Sequence, residues 1–230
     1  FRKWSEWRVA NTAFGAVSFL ALEAIGGAIA LNYGFTNALW AILFVGLITF
    51  LTGLPISYCA AKYGVDMDLL TRGAGFGYLG STITSLVYAS FTFIFFAIEA
   101  AIMALAFELY FGMPLAWAYL LCAVVVIPLV IHGVTLISRI QLWTQPVWIV
   151  LLVLPYIAVW LQAPEMFSDF TSMSGRSSGN SDFDWLMFGA ASTVAISLVV
   201  QIGEQVDYLR FLPEKTRENR YRWWAAVLIA

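Results

Sequence analysis

The sequence has few charged residues. They make up 11% of the 230 residues, and the net charge is only −2, whereas roughly 25% of residues are charged in soluble domains. Hydrophobic residues make up 61%, which argues against a soluble globular domain. Because no basic or acidic tail is present, we expect no nucleic-acid partner. The composition instead predicts an integral membrane protein surrounded by a lipid bilayer.

Residues that commonly carry catalysis are also scarce. The single histidine, His132, lies at a predicted span end without Ser/His/Asp or HExxH companions, so we expect a structural role for it and no enzyme activity. The two cysteines, Cys59 and Cys122, lie far apart in apolar runs and form no CxxC motif. We therefore expect neither a disulfide nor a metal site, and we interpret both as small buried hydrophobic residues.

Long apolar runs divide the chain into membrane spans. Each is predicted to be helical, because an open sheet would leave backbone groups unpaired in lipid. The spans cover residues 10–31, 38–61, 79–110, 115–131, 142–161 and 185–206, and a seventh begins near Trp223. The sequence thus predicts one all-α, polytopic membrane helix bundle over residues 1–230. It begins without methionine and ends within an apolar run, which indicates part of a longer protein.

The basic residues predict the orientation of the chain. If the chain crosses the membrane at every predicted span, 11 of the 12 basic residues fall in connecting segments on the same side of the membrane. Arg176 is the exception. By the positive-inside rule, the N-terminus is expected to be cytoplasmic. The shared side holds Arg2, Lys3, Arg8, Lys62, Arg72, Arg139, Arg210, Lys215, Arg217, Arg220 and Arg222. The loop at residues 162–184 lies on the other side and is expected to hold a short surface helix or to act as a lid.

Most tryptophans lie near predicted span ends. Amphipathic aromatic side chains are enriched at headgroup depth, so we interpret these residues as interface anchors. They are Trp4, Trp7, Trp40, Trp117, Trp143, Trp160, Trp185, Trp223 and Trp224.

The acid Glu99 lies near the middle of the third span. An ionisable group at that depth is unfavourable in lipid, so it is expected to face a protein interior or a water-filled cavity. Two interpretations remain open: a carboxyl that binds a ligand or a proton, or an acid hydrogen-bonded to a neighbouring helix. Phe91, Phe93, Phe95 and Phe96 precede it, either as stacking partners for a planar ligand or as lipid-facing and core aromatics.

Glycines suggest irregular backbone in the first span. Gly26 and Gly27 follow Glu23 closely, and a glycine pair is a weak place in a helix. The pair predicts either a broken helix whose freed backbone groups bind a small solute or cation, or the close approach of another helix.

The sixth span is also interrupted. Gln201, Gly203 and Glu204 break its apolar run just before Asp207. We expect the helix either to break there or to end in solvent near the basic cluster that follows.

A polar, glycine-rich segment precedes the third span. Gly75, Gly77 and Gly80 match GxGxxG, but no strand precedes them, so we expect them to allow a turn and close packing rather than dinucleotide binding. Asp66 and Asp68 lie near Arg72 and Lys62 and are interpreted as a charge network.

Two motifs in the right order resemble the nucleobase-cation symporter family, which includes cytosine and purine permeases. The first precedes the third span and the second follows the sixth. They read Gly64-x-Asp66, Arg72, Phe76-Gly77 and Gly80-Ser81, and then Asp207-Tyr208-x-Arg210-Phe211. The resemblance covers nearly the whole chain, and the residues that carry it are Asp66, Arg72, Gly77, Gly80, Asp207 and Arg210.

The resemblance implies a LeuT-type inverted-repeat fold with broken helices, of which this chain would hold the first repeat and the opening helix of the second. In the family, an aromatic on the third helix stacks on the heterocycle and a glutamine four residues later hydrogen-bonds it. Phe95 and Glu99 stand at those positions, so a carboxyl replaces the amide. The implied substrate-binding residues are Glu99, Phe95, Phe96, Glu23, Gly26, Gly27, Ser197 and Gln201.

The family further implies a transporter that binds a nucleobase-like or other small nitrogenous solute and moves it by alternating access coupled to Na⁺ or H⁺. The implied location is the bacterial inner membrane. The same motifs also resemble permease-like membrane modules of bacterial hybrid sensor histidine kinases. In that alternative the domain senses a ligand, and the full-length chain carries cytoplasmic signalling domains, including a C-terminal kinase.

Overall fold

The computed structural model describes residues 2, 4–16 and 19–230. It is 83% helical, and these described residues contain no strand. Lys3, which was counted in the basic group, and Val17 and Ser18, which belong to the predicted first span, lie outside the described residues. The α-helices are α1 (Glu6–Ala16), α2 (Leu20–Tyr33), α3 (Phe35–Tyr63), α4 (Met67–Thr71), α5 (Gly77–Phe111), α6 (Leu115–Ile131), α7 (Val134–Gln162), α8 (Glu165–Thr171), α9 (Trp185–Ile196), α10 (Glu204–Leu209) and α11 (Arg220–Ile229).

Four helical segments are long and apolar enough to cross a membrane. They are Phe35–Tyr63, Met67–Phe111, Val134–Gln162 and Trp185–Leu209. The pair α1 and α2 makes a fifth candidate if the two helices are counted as one bent span, and α6 is a shorter apolar helix. The predicted all-helical membrane protein is therefore confirmed at this level, and the seventh predicted span corresponds to α11.

The helices form two compact units. The first comprises Phe1–Ala21, Pro55–Gln145 and Gly203–Ala230, and the second comprises Leu22–Leu54 and Pro146–Ile202. Two of the boundaries fall at prolines inside helices, Pro55 in α3 and Pro146 in α7. A single domain over residues 1–230 stays a prediction.

The core of the first unit forms where α1 meets α10 and α11. Val9, Val206 and Leu209 are fully buried there, together with Trp223. Trp223 donates a hydrogen bond from Nε1 to the carbonyl of Pro213 at 3.1 Å, so its only polar group is satisfied in the core.

The interpretation of every span-end tryptophan as an interface anchor is wrong for two residues. Trp223 is 1% exposed and Trp4 is 7% exposed. Trp4 stacks on Phe211 with ring centroids 4.6 Å apart. Short helices leave space between them that large rings fill, and sequence position alone does not distinguish such a ring from one at headgroup depth.

The core of the second unit joins α2, the first half of α3 and α9. Its buried members are Ile29, Ala30, Ala38, Ala41, Val45, Ala191 and Ala195. Five of these seven are alanines, and small side chains let helices approach closely in the membrane. Ile25 and Ile196 pack against the same cluster.

The loop at residues 162–184 contains the helix α8, which confirms the predicted short helix. The following segment is bonded to the turn between α2 and α3. The amides of Arg176 and Ser177 donate to the carbonyls of Leu31 and Asn32 at 3.0 and 2.9 Å, and the amide of Phe35 donates to Met173 at 3.2 Å. The loop is thus held on this turn by backbone hydrogen bonds within the second unit.

Asn37 fixes the end of that loop. Its side chain is 0% exposed, donates to the carbonyls of Tyr33 and Asp182 at 3.0 and 3.2 Å, and accepts from the amide of Asp184 at 2.9 Å. The Asp184 carboxylate in turn caps α9 by accepting from the amides of Leu186 and Met187. A buried asparagine therefore connects α3 to the start of α9.

Asn37→Ala is expected to lower the free energy of unfolding by about 2 kcal/mol, because it leaves buried backbone groups without partners. Thermal unfolding of the purified protein measures the loss. Asn32→Ala is the matched control: its side chain is exposed and donates to the carbonyl of Ala28 in its own helix. Equal effects of the two substitutions would contradict this account of Asn37.

The predicted break at Gly26 and Gly27 is wrong. Helix α2 continues through both glycines, and the described residue that interrupts the first span is Phe19, directly before α2 begins at Leu20. Within the described residues, a Cβ built on Gly26 or Gly27 would meet no atom within 4 Å, so the alternative of a closely approaching helix is not observed either. An intact helix keeps its backbone hydrogen bonds, which explains why glycines are tolerated inside membrane helices.

The sixth span breaks rather than ending in solvent. It is α-helical to Ile196, becomes a 3₁₀-helix over Ser197–Gly203 and resumes as α10 at Glu204. Glu204 and Asp207 are half-buried, so the interpretation of this segment as a solvated helix end is wrong. This 3₁₀ segment has seven residues, which is unusually long, and a 3₁₀ stretch within a helix often marks a functional hinge.

Candidate functional site

Glu99 lies beside the start of α2. Its Oε1 accepts a hydrogen bond from the backbone amide of Ala21 at 2.7 Å. That amide belongs to the first turn of α2, where N–H groups have no partner within the helix, and Ala21 is fully buried. The carboxyl of Glu99 therefore gives a hydrogen-bond partner to a buried amide that has none within its own helix.

The carboxyl also lies where the helix dipole favours negative charge. This is the second of the two interpretations of Glu99, an acid hydrogen-bonded to a neighbouring helix. Glu99 is half-buried, and the first interpretation, a carboxyl that binds a ligand or a proton, stays a prediction. A solute N–H is a donor of the same kind as the amide of Ala21, so the carboxyl is suited to accept from either.

Aromatic rings flank this contact. Phe95 lies one turn before Glu99 on α5 and is 5% exposed. Its ring stacks on Phe19 with centroids 5.2 Å apart and an interplanar angle of 15°, and it contacts Phe91 at 4.7 Å. Phe19 directly precedes α2, so the rings and the carboxyl meet at the same interruption.

The predicted aromatic set divides between two environments. Phe93 is 72% exposed and Phe96 is also exposed, so both lie on the outer surface of α5 and not with Phe95. The exposed position of Phe93 agrees with the interpretation of this residue as a lipid-facing aromatic. The structure thus groups Glu99 with Phe95 and does not add Phe96 to them.

The other predicted binding residues belong to the second unit. Glu23, Gly26 and Gly27 lie on α2, where Glu23 is exposed. Ser197 opens the 3₁₀ segment and donates to the carbonyl of Val194 at 2.7 Å, while Gln201 lies within that segment and is half-buried. Helix α2 and helix α9, which directly precedes the 3₁₀ segment, share the core around Ile29 and Ala195.

The two family-like motifs meet in the first unit. The guanidinium of Arg210 lies 3.7 Å from the carboxylate of Asp66. Asp66 also caps α4 by accepting from the amide of Leu69 at 2.9 Å. Beside this pair, Met67 packs directly on Gly203, where any Cβ would overlap the methionine side chain.

Comparisons of this chain with protein-family models, curated proteins and solved structures give no match. The resemblance to nucleobase-cation symporters accordingly stays a prediction that depends on the quoted residues.

The glycines before α5 form a turn, as expected. Gly75 and Gly77 have φ values of +103° and +65°, which side-chain-bearing residues rarely adopt. Arg72 lies on this turn and bonds Asp68 at 2.6 Å, while its Nε lies 3.5 Å from the hydroxyl of Ser81. The predicted charge network is therefore observed only in part. Within the predicted network an ion pair joins only Asp68 and Arg72, because Asp66 pairs with Arg210. Lys62 instead lies over tyrosine rings.

Close packing at the same glycines is observed only in part. A Cβ on Gly80 would come within 2.9 Å of Phe76 Cβ, whereas nothing described lies within 4 Å of one on Gly75 or Gly77.

Sequence reasoning missed two groups that contact Glu99 and Phe95, and one hydrogen bond made by the second family-like motif. The amide of Ala21 is a backbone donor, which residue identity does not reveal. Phe19 lies outside every regular element, so no helical spacing links it to Phe95. Tyr208 donates a hydrogen bond to Glu204, and only their spacing of four residues on one helix face could have indicated it.

Asp66→Ala is expected to lower the free energy of unfolding by about 1 kcal/mol through loss of the α4 cap. Asp66→Asn keeps a capping oxygen but removes the charge that faces Arg210. In a double-mutant cycle with Arg210→Gln, we expect a coupling of about 0.5 kcal/mol, since both side chains are partly exposed. Thermal unfolding of the four proteins measures it, and a coupling of zero would show that the ion pair does not stabilise the fold.

Proposed function

We propose that this chain is a secondary-transporter-like membrane domain of the nucleobase-cation symporter type. It binds a nucleobase-like or other small nitrogenous solute next to Glu99 and moves it by alternating access coupled to Na⁺ or H⁺. The observation that carries the proposal is the contact of Glu99 with the amide of Ala21, at the point where the first membrane span is interrupted.

Several features support this chemistry. Transporters commonly bind small solutes at interrupted helices, where backbone groups are free to make hydrogen bonds at membrane depth. A planar heterocycle presents N–H donors at its edge and an apolar face. The carboxyl of Glu99 accepts from such donors. The ring of Phe95 stacks on Phe19 in this structure, and the heterocycle takes the place of Phe19 on that ring.

The interruption itself supports a LeuT-type fold. In that fold the first helix of each repeat is broken, and here α1 ends at Ala16 while α2 begins at Leu20. The 3₁₀ segment over Ser197–Gly203 interrupts the sixth span in a comparable way. We propose that these two segments are the broken helices of an inverted repeat.

Uptake of radiolabelled purines, pyrimidines and hydantoins by cells expressing the full-length protein tests the function. We expect uptake of at least one of these solutes above that of cells lacking the protein. Collapse of the Na⁺ or the H⁺ gradient then identifies the coupling ion. Absence of both uptake and binding for the whole panel would contradict the proposal.

Phe95→Ala is expected to reduce solute affinity by roughly 5- to 100-fold, because aromatic stacking on a heterocycle contributes about 1–3 kcal/mol. Phe93→Ala is the matched control, since Phe93 lies on the same helix but is largely exposed. Binding by purified protein measures both. A larger loss for Phe93→Ala than for Phe95→Ala would contradict the assignment of the stacking surface.

A sensory input module is the competing proposal, and it depends on the resemblance of residues 64–81 and 202–216 to membrane modules of hybrid sensor histidine kinases. In that case the solute binds next to Glu99 but is not moved. Solute binding without uptake, in a full-length chain that continues into a phosphorylatable histidine domain and an ATP-binding domain, would favour sensing.

A further inference from the structure

A cavity with excess positive charge lies in the first unit, at the C-terminal end of α3. Its volume is about 310 Å³. Three of its lining side chains are cationic, those of Arg2, Lys62 and Lys215, and one is anionic, that of Glu214. Tyr58 and Trp223 form its aromatic wall. The solute site proposed above does not use any of these residues.

The aromatic wall holds both lysines in place. The ammonium of Lys62 lies 5.6 Å from the ring centre of Tyr58. The ammonium of Lys215 lies 5.2 Å from the ring of Trp223 and 4.7 Å from that of Trp224. A cation over a ring keeps its N–H donors available for an anion.

The positive charge of the lysines is not neutralised nearby. Among residues 2, 4–16 and 19–230, neither lysine forms an ion pair with a carboxylate. The only lining acid, Glu214, lies 3.6 Å from Arg2 Nη1, and Arg2 is further fixed by donating to the carbonyl of Lys62 at 2.6 Å. The lysines are therefore the groups left to receive an external anion.

We propose that this cavity binds a phosphate group, carried by an anionic phospholipid or by a soluble phosphate ester. Lysine is a common phosphate ligand as a point charge, and the cavity is large enough for a phosphate with a small alcohol attached. The site lies where a membrane-length helix ends at Tyr63. Basic pockets at such helix ends bind lipid headgroups, so this position favours the phospholipid source.

Binding by the full-length protein in a neutral detergent tests the proposal with three probes: dioctanoyl phosphatidylglycerol, dioctanoyl phosphatidylcholine and glycerol 3-phosphate. We expect the anionic lipid to bind, and the double variant Lys62→Gln/Lys215→Gln to bind it at least about tenfold more weakly. If glycerol 3-phosphate binds as tightly as the lipid and the double variant weakens its binding equally, the site is supported and its ligand is a soluble phosphate ester.

Two further double variants separate the site from general effects. Lys62→Arg/Lys215→Arg keeps both charges and is expected to retain binding. Arg139→Gln/Arg217→Gln removes two exposed charges outside the cavity and is expected to change affinity by less than about twofold. Equal affinity of the Lys62→Gln/Lys215→Gln variant and the unmodified protein would overturn the proposal, as would equal binding of the two lipids.

Discussion

Gly175→Ala is expected to lower the thermal unfolding temperature of the protein by about 6–12 °C. Gly175 is buried, and a Cβ placed on it would overlap the backbone of Asn32, Tyr33 and Gly34. Backbone cannot rotate away as a flexible side chain can, so the loop must separate from the turn between α2 and α3. Overpacking of this kind costs about 3 kcal/mol, which corresponds to that shift for a chain of this size.

Gly189→Ala is the matched control for this prediction. Gly189 lies in α9 of the same unit, has an ordinary helical backbone and has nothing described within 4 Å of an added Cβ. It is expected to leave the unfolding temperature unchanged or to raise it slightly, because alanine favours a helix over glycine. Limited proteolysis between residues 172 and 184 should increase only in Gly175→Ala. A wild-type unfolding temperature for that variant would refute the contact between Gly175 and Gly34.

The helical character of the chain could be predicted because it follows from composition and length. A run such as residues 38–61 is too apolar for water and long enough to cross a bilayer, and only a helix satisfies its backbone there. The same reasoning predicts a partner for Glu99, since an acid at membrane depth requires one, and the amide of Ala21 is such a partner. These inferences need only the properties of single segments.

The positions of the breaks could not be predicted in the same way. Gly26 and Gly27 have low helix propensity, yet α2 is intact there, because propensity is a weak term beside the hydrogen bonds of a membrane helix. Where α2 begins, at Leu20, the amide of Ala21 has no partner in the helix and donates instead to Glu99. Glu99 is distant in sequence. The position of a break therefore depends on which group can hydrogen-bond the freed backbone amides, and only the folded structure identifies that group.

Glu99→Gln is expected to reduce solute uptake by roughly 10- to 150-fold while preserving the fold. A hydrogen bond to a charged group contributes about 1.5–3 kcal/mol, and glutamine removes the charge that a solute N–H or a coupling proton would use. The side-chain oxygen of glutamine can still accept from the amide of Ala21, so the buried donor keeps a partner. Initial uptake rates and the unfolding temperature, measured on the same variant, separate the two effects.

Two comparison variants complete this test. Glu99→Ala leaves the amide of Ala21 without its acceptor and is expected to lower the free energy of unfolding by about 1–3 kcal/mol as well as to abolish uptake. Glu108→Gln removes an exposed carboxyl from the same helix and should leave both quantities unchanged. If Glu99→Gln transports like the unmodified protein while Glu99→Ala is merely unstable, Glu99 serves only to cap α2, and the solute must bind elsewhere.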